Sequence, residues 1–98
     1  MSAKPSPPKT VPNATDLRGV FAFHVRTLRV AKGWSQERLA LECGLDRTYV
    51  SAIERSVWNV SLANIEKLAA TLDVAPWELL RPIDLASLPK TIQDALSS

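Results

Sequence analysis

Side chains able to do covalent or redox chemistry are scarce in this chain of 98 residues. It holds one histidine, His24, and one cysteine, Cys43, which provide neither an internal disulfide nor a zinc site built from Cys and His. No nucleophile stands beside a base, and no phosphate loop is present. We therefore expect no enzyme, metal or cofactor. We expect His24 to serve in packing or at the surface, and Cys43 to be a small buried residue.

One short segment concentrates side chains suited to reading nucleic-acid bases. Residues 47–55 carry Arg, Thr, Ser and Ala where surface helices are richer in Glu and Lys. On a helix that turns about 100° per residue, Val50 and Ile53 lie about 60° apart and define a buried side. Arg can pair with guanine, Ser and Thr can bond several base edges, and methyl groups can meet thymine. The predicted base-reading residues are Arg47, Thr48, Tyr49, Ser51, Ala52 and Arg55. Phosphate binding by Arg47 and half-buried packing of Tyr49 are the alternatives.

Helices must position this segment, and the apolar pattern from Thr15 to Leu80 is helical, without the alternation typical of strands. The predicted helices cover about 17–32, 36–43, 47–55, 62–72 and 77–80, with caps at Thr15 or Asp16, Ser35, Asp46 and Ser61, and with Pro76 in the first turn of the fifth. Gly33 and Gly44 end the first two. A further short helix is predicted from Pro89, with Ile92 and Leu96 as its apolar stripe. The prediction is an all-α domain over 15–80.

The two ends of the chain have different compositions. Residues 1–14 hold four Pro and two Lys, which predicts a disordered arm that solubilises the protein or touches phosphates. Residues 1–59 carry nine Lys or Arg and five acids, a net +4, whereas residues 60–98 carry three and five, a net −2. A basic half that faces a polyanion and a chance asymmetry explain this equally well. Residues 1–9 lack the apolar core of a signal peptide, and no apolar run approaches about 20 residues. We therefore expect a cytoplasmic, nucleoid-associated protein without membrane contact.

The second and third predicted helices, joined at Gly44, have the layout of a helix-turn-helix, whose second helix enters the DNA major groove. The run LRVAKGWSQERLA at 28–40 and the run SLANIEKLAATL at 61–72 resemble two phrases of the Cro/CI-type, or XRE, helix-turn-helix family. The resemblance covers residues 25–80. Within the family, LDRTYVSAIER at 45–55 looks most like the controller proteins of restriction–modification systems.

This resemblance implies a five-helix, lambda-repressor-like domain that regulates transcription. It implies a homodimer on double-stranded DNA, bound at a palindromic operator near its own promoter. It also implies a buried salt bridge between Arg29 and Glu54, which locks the first helix to the third. Phosphate contacts are predicted at the start of the second helix and around the loop after the third: Ser35, Gln36, Arg38, Trp58, Asn59, Ser61 and Asn64. Controller proteins often carry Arg where this chain has Trp58, so that contact is lost or replaced by stacking.

Apolar side chains beyond the predicted core suggest a dimer surface. The candidates lie in the fifth helix and the tail at 81–98: Trp77, Leu80, Ile83, Leu85, Leu88 and Ile92. Trp34 stands at a core position of the family. Trp58, in a polar loop, is expected either to fold back on Leu62 or to meet DNA or a partner. The alternative function is an antitoxin-like module whose tail binds another protein.

Overall fold

The computed structural model describes residues 6–97, and in that range the chain forms five α-helices, two short 3-10 helices and no strand. The α-helices are α1 (Leu17–Ala31), α2 (Gln36–Cys43), α3 (Arg47–Glu54), α4 (Leu62–Thr71) and α5 (Lys90–Ser97). The 3-10 helices are Pro76–Leu79 and Leu85–Ser87. The all-α prediction is confirmed, including the extra C-terminal helix. None of the helices within 6–97 has the length and apolar character needed to cross a membrane.

The start of each of the first four α-helices is fixed by a side-chain cap. The cap oxygens belong to Asp16, Ser35, Asp46 and Ser61, and each accepts a hydrogen bond from a backbone N–H in the first turn. Gly44 ends α2 in the left-handed conformation, with φ of 71°, which residues with a Cβ adopt only at a cost. This tight turn sets α3 across α2.

The predicted fifth helix is instead a single 3-10 turn. Pro76 opens it, and the carboxylate of Glu78 accepts a hydrogen bond from the backbone N–H of Ala75 at 2.7 Å. Only four residues take part, and Pro82 follows shortly afterwards. An α-helix of that length would satisfy almost none of its own backbone groups, so the tighter turn forms.

The hydrophobic core lies between α1, α2, α3, α4 and the first 3-10 helix. Its buried side chains come from all five elements: Phe21, Val25, Leu39, Ala40, Val50, Ile53, Ile65, Leu68, Ala69, Leu72 and Leu79. Trp34, expected in the core, packs against it but is only partly buried. The core holds α2 and α3 rigidly against each other, which leaves one side of α3 free.

The arm lies along α1. Residues 6–14 form no helix or strand, yet Pro8 is buried, and Arg26 Nε donates to the carbonyl oxygen of Ser6 at 2.9 Å. A Cβ at Gly19 would stand 3.0 Å from Cβ of Pro12 and closer still to Asp16, so the absence of a side chain at Gly19 lets the arm pass. Residues 1–5, also predicted as disordered, lie outside the described part of the chain.

The tail also returns to α1. His24 Nε2 lies 2.8 Å from the carbonyl oxygen of Arg81, and α5 contacts α1. Ile92 is completely buried within its own chain. The prediction that Ile92 forms part of a dimer surface is therefore wrong, because the apolar stripe of α5 is already covered by α1.

Candidate nucleic-acid interface

One side of α3 carries polar side chains that face away from the core. Arg47, Thr48 and Arg55 are exposed and Ser51 is half-buried. They occupy one sector of the helix, opposite Val50 and Ile53. The nearby Asp46 carboxylate accepts a hydrogen bond from the backbone N–H of Thr48 at 2.7 Å, so its role is to cap α3. The sector thus offers two guanidinium groups and two hydroxyls to a partner.

Ala52 does not belong to that sector. It is 1% exposed, so its methyl group cannot reach a thymine, and its prediction as a base-reading residue is wrong. The buried part of α3 extends beyond the stripe of Val50 and Ile53 toward Ala52. There the chain turns back after the helix, and the backbone N–H of Val57 donates to the carbonyl oxygen of Ala52 at 3.1 Å.

Tyr49 lies at the border between the core and the exposed sector. Its ring contacts Trp58, with ring centroids 5.9 Å apart, and its hydroxyl oxygen accepts a hydrogen bond from Asn64 Nδ2 at 2.9 Å. The ring therefore packs, which is the alternative to base reading. A phenol also donates, so the hydroxyl retains one hydrogen bond for a partner. Trp58 lies on Tyr49, while Leu62, the other candidate neighbour, is exposed.

A buried ion pair joins α1 to α3. Arg29 Nε donates to Glu54 Oε2 at 2.7 Å and Arg29 Nη2 donates to Glu54 Oε1 at 2.8 Å, while both side chains are almost completely buried. Arg29 Nη1 also donates to the carbonyl oxygen of Trp34 at 2.8 Å. Such a planar, two-point pair fixes orientation as well as distance. The structure thus brings together the two residues predicted as a salt bridge.

The start of α2 is connected to this pair. Gln36 Nε2 donates to Glu54 Oε1 at 3.2 Å. The side chain of Gln36 is therefore held beside the first backbone N–H groups of α2, which lack partners within the helix. A helix start of this kind suits an anion such as a phosphate. Ser35, the cap, uses its hydroxyl oxygen to accept from the N–H of Arg38 at 3.0 Å.

The side chain of Arg38, a predicted phosphate contact, is already engaged by other residues. Its Nε donates to Glu42 at 2.7 Å, and its guanidinium lies 5.1 Å from the centre of the Trp34 ring. Lys32 lies over the same ring at 5.0 Å and is paired with Asp73. A phosphate would have to compete with Glu42 for Arg38.

The predicted phosphate contacts in and just after the loop that follows α3 differ in how free their side chains are. Ser61 caps α4 by accepting a hydrogen bond from the backbone N–H of Asn64 at 3.1 Å. The side-chain amide of Asn64 donates to the hydroxyl oxygen of Tyr49. Asn59 is exposed. Ser61 is exposed as well, but of these three predicted phosphate contacts Asn59 is the one whose side chain takes part in neither of these bonds.

The predicted dimer surface is only partly exposed. Trp77 is 63% exposed and Leu85 is exposed too, whereas Leu80, Ile83 and Leu88 are half-buried. A second apolar region, which the sequence reasoning missed, includes Leu80. It is a groove of about 260 Å³ lined by Leu17, Phe21, Trp58, Val60, Ile65 and Leu80, together with Arg18, Ile53 and Asn59. The signal was Leu17, which continues the apolar stripe of α1 but is 55% exposed.

His24 and Cys43 serve in packing. Burial lowers the pKa of His24 below its ordinary value; the hydrogen bond to the Arg81 carbonyl opposes this, while the charge of Arg81 adds to it. Burial raises the pKa of the half-buried Cys43, whose Sγ lies 3.8 Å from the carbonyl oxygen of Ala40. Among residues 6–97, no group of three or more His, Cys, Asp or Glu side chains is placed to hold a metal ion.

Comparison with known proteins gives consistent results. A hypothetical transcription factor from Neisseria meningitidis is 57% identical over 84% of this chain and 77% of its own length. The crystal structure of the hypothetical transcription factor NHTF from Neisseria has a TM-score of 0.78 at 58% identity, over 81% of this chain and 91% of that one. The control protein C.BamHI from Bacillus amyloliquefaciens is 52% identical over 66% of this chain and 82% of its own.

A further solved structure is the tetramer of the restriction–modification controller protein C.Esp1396I in complex with its natural operator. Its TM-score is 0.60 at 27% identity, over 84% of this chain and 96% of that one. Residues 25–79 match the helix-turn-helix family HTH_3, which includes α2, α3 and the turn between them. The chain therefore belongs to the helix-turn-helix family.

Proposed function

We propose that this protein is a sequence-specific regulator of transcription that binds double-stranded DNA through α3. The observation that carries the proposal is the exposed sector of Arg47, Thr48, Ser51 and Arg55. These four side chains are short or end in a guanidinium, so α3 can enter a major groove and place them at base edges. The Arg29–Glu54 pair fixes the angle of α3 and so preorganises the sector.

Phosphate contacts would set the position of the protein on DNA. Gln36 is the strongest candidate, because Glu54 already orients it at the start of α2. Asn59 is an exposed candidate in the following loop, and Tyr49 can donate its hydroxyl proton. These groups flank the α3 sector and carry no base information of their own.

The working unit in this proposal is a homodimer on a palindromic operator. One module makes few base contacts, whereas two α3 helices about 34 Å apart would read half-sites one turn apart. The apolar groove between α1, the α3–α4 loop, α4 and Leu80 supports this proposal, together with exposed Trp77 nearby in sequence. A second copy would cover Leu17 and Trp58 there.

The relatives extend the proposal to a biological role. Several carry the names of control proteins or restriction–modification controllers, and one title states that its protein was solved with its natural operator. By analogy, this protein would act in the cytoplasm on the promoter of its own gene. The antitoxin-like alternative has less support, since the tail packs on α1 of its own chain.

A gel-shift experiment with the DNA immediately upstream of the gene tests the proposal. At near-physiological salt and with excess nonspecific competitor, we expect a discrete complex that forms cooperatively. Arg47→Ala should weaken this complex, whereas Arg81→Ala, changed on the side of the molecule that holds the tail, should leave it unchanged. If the upstream DNA gives no discrete complex and selection from random-sequence DNA enriches no motif, the proposed function is refuted.

Sedimentation equilibrium tests the dimer separately. Leu17→Glu places a charge at the mouth of the groove, so we expect it to shift the protein toward the monomer. Leu41→Glu is the matched control, because Leu41 is 76% exposed on α2 and does not line the groove. Equal dimer fractions in the two variants would place the interface elsewhere.

A further inference from the structure

The arm and the end of α3 meet in one place. Lys9 and Thr10 of the arm, Arg26 of α1, and Glu54 and Ser56 at the end of α3 line a single polar cavity of about 190 Å³. Its other walls are arm and α1 residues, which include Asp16. The arm is thus placed next to the helix that we propose reads DNA.

Two cationic side chains line this cavity. Lys9 is exposed and Arg26 is half-buried. Arg26 uses Nε to bind the carbonyl oxygen of Ser6, which leaves the two terminal nitrogens of its guanidinium for another partner. The two carboxylates nearby are already engaged, since Asp16 caps α1 through the N–H of Gly19 and Glu54 is paired with Arg29.

Glu54 also connects this region to the start of α2. Glu54 is one of the residues that line the cavity, and its carboxylate accepts a hydrogen bond from Gln36, the strongest phosphate candidate. Glu54 thus contacts both the start of α2 and the cavity that Lys9 and Arg26 line.

We propose that Lys9 and Arg26 form a second phosphate-binding patch, positioned by the docked arm, for the DNA backbone that flanks the bases read by α3. This inference rests on the proposed function. It adds two cationic contacts that carry no sequence information and that strengthen binding to any duplex. The arm thereby becomes part of the DNA-binding surface, positioned along α1 by Gly19 and by the Arg26–Ser6 bond.

Salt dependence measures this contribution directly. The affinity for a labelled, mixed-sequence duplex of about 20 base pairs would be measured at several NaCl concentrations. Each lost phosphate contact lowers the slope of log K against log salt by about 0.9. We expect Lys9→Gln and Arg26→Gln each to lower the slope by about that amount, and the double variant by about twice as much. Circular dichroism would verify that each variant is folded.

Two controls separate charge from structure. Lys67→Gln removes the same charge from exposed Lys67 on α4 and should leave the slope unchanged. Arg26→Lys retains the charge but loses the bond from Nε to Ser6. It should keep most of the slope, because buried Pro8 and the close approach at Gly19 still hold the arm on α1. If Arg26→Lys lowers the slope as much as Arg26→Gln, displacement of the arm explains the effect and the inference is refuted.

The outcomes for the two proposals are distinguishable. A slope for the double variant equal to that of the unmodified protein would refute the phosphate patch and leave the proposed function intact. An unmodified protein that binds no duplex at any salt concentration would refute both.

Discussion

The two sides of α3 differ in nearly every physical property, although the helix has only eight residues. One side is closed, with Val50, Ala52 and Ile53 buried and Glu54 held by three charge-assisted hydrogen bonds. The opposite side exposes Arg47, Thr48 and Arg55. The comparison indicates that stability and recognition are carried by separate residues of one helix, although residues of the two kinds are neighbours in sequence.

This separation is what a reading helix requires. A buried, two-point ion pair fixes the orientation of α3, since any rotation of the helix would break both hydrogen bonds at once. The exposed side chains then need no further internal contacts. Substitutions on the closed side should therefore lower the free energy of unfolding, and substitutions on the open side should lower DNA affinity alone.

The largest effect is expected from Glu54. Glu54→Ala leaves the buried Arg29 guanidinium without its counterion, so we expect a loss of about 3–5 kcal/mol in the free energy of unfolding. Urea denaturation measures it. Glu42→Ala, which breaks the exposed pair with Arg38, should cost less than about 1 kcal/mol. Similar losses for the two variants would show that burial does not distinguish these ion pairs.

A smaller loss is expected from crowding the closed side. Ala52→Leu adds three carbon atoms at a position that is 1% exposed, and overpacking typically costs about 1–3 kcal/mol. Thr48→Leu adds a similar bulk on the open side and should change the free energy of unfolding by less than about 0.5 kcal/mol. Thermal unfolding of both variants gives the comparison. A neutral Ala52→Leu would contradict the buried position of Ala52.

Arg47 tests the open side. Arg47→Ala should weaken binding to the selected operator by about 1–3 kcal/mol if Arg47 pairs with a base. The free energy of unfolding should stay within about 0.5 kcal/mol. Binding to single-base variants of the operator distinguishes the alternatives. Relaxed discrimination at one base pair indicates base reading, whereas uniform weakening with a shallower salt dependence indicates phosphate binding.

The smallest effect is expected from His24, on α1. Because burial lowers its pKa in the folded protein, the unfolded chain binds a proton there more readily, with an ordinary value near 6.5. Stability from this group is therefore complete above that value and is lost as the pH falls below it toward the folded pKa. His24→Gln keeps a donor for the Arg81 carbonyl but does not titrate. Urea midpoints at pH of about 7.5 and 5.5 should differ less in this variant than in the unmodified protein. An equal difference would assign the pH dependence to other groups.

Much of the fold could be predicted because its signals are local. Asp46 and Ser61 cap the helices that follow them, and Gly44 permits the left-handed end of α2. These features depend on neighbouring residues only. The joining of Arg29 to Glu54, 25 positions apart, could be expected only from the family resemblance.

The missed features depend on which surfaces meet. Ala52 is buried because the chain returns over the end of α3. The stripe of Val50 and Ile53 does not show how far around the helix the buried side extends. Ile92 has the spacing of a surface-binding stripe, and the sequence does not state whether α1 or a second chain covers it. Leu17 shows the reverse case. It continues the apolar stripe of α1, but it lies beyond the end of the hydrophobic core.

The arm and the tail both cover α1, and this has a consequence for how the protein is synthesised. The buried face of α1 includes Val20 and Phe23, while Pro8 from the arm and Ile92 from the tail are also buried. The arm leaves the ribosome before α1 and α5 leaves after it, so the outer face of α1 stays incomplete until α5 has been synthesised. The region that matches the family, 25–79, is thus shorter than the unit that folds. Expression of that region alone would remove most of this cover together with the first half of α1, and the full chain is the appropriate length for solution work.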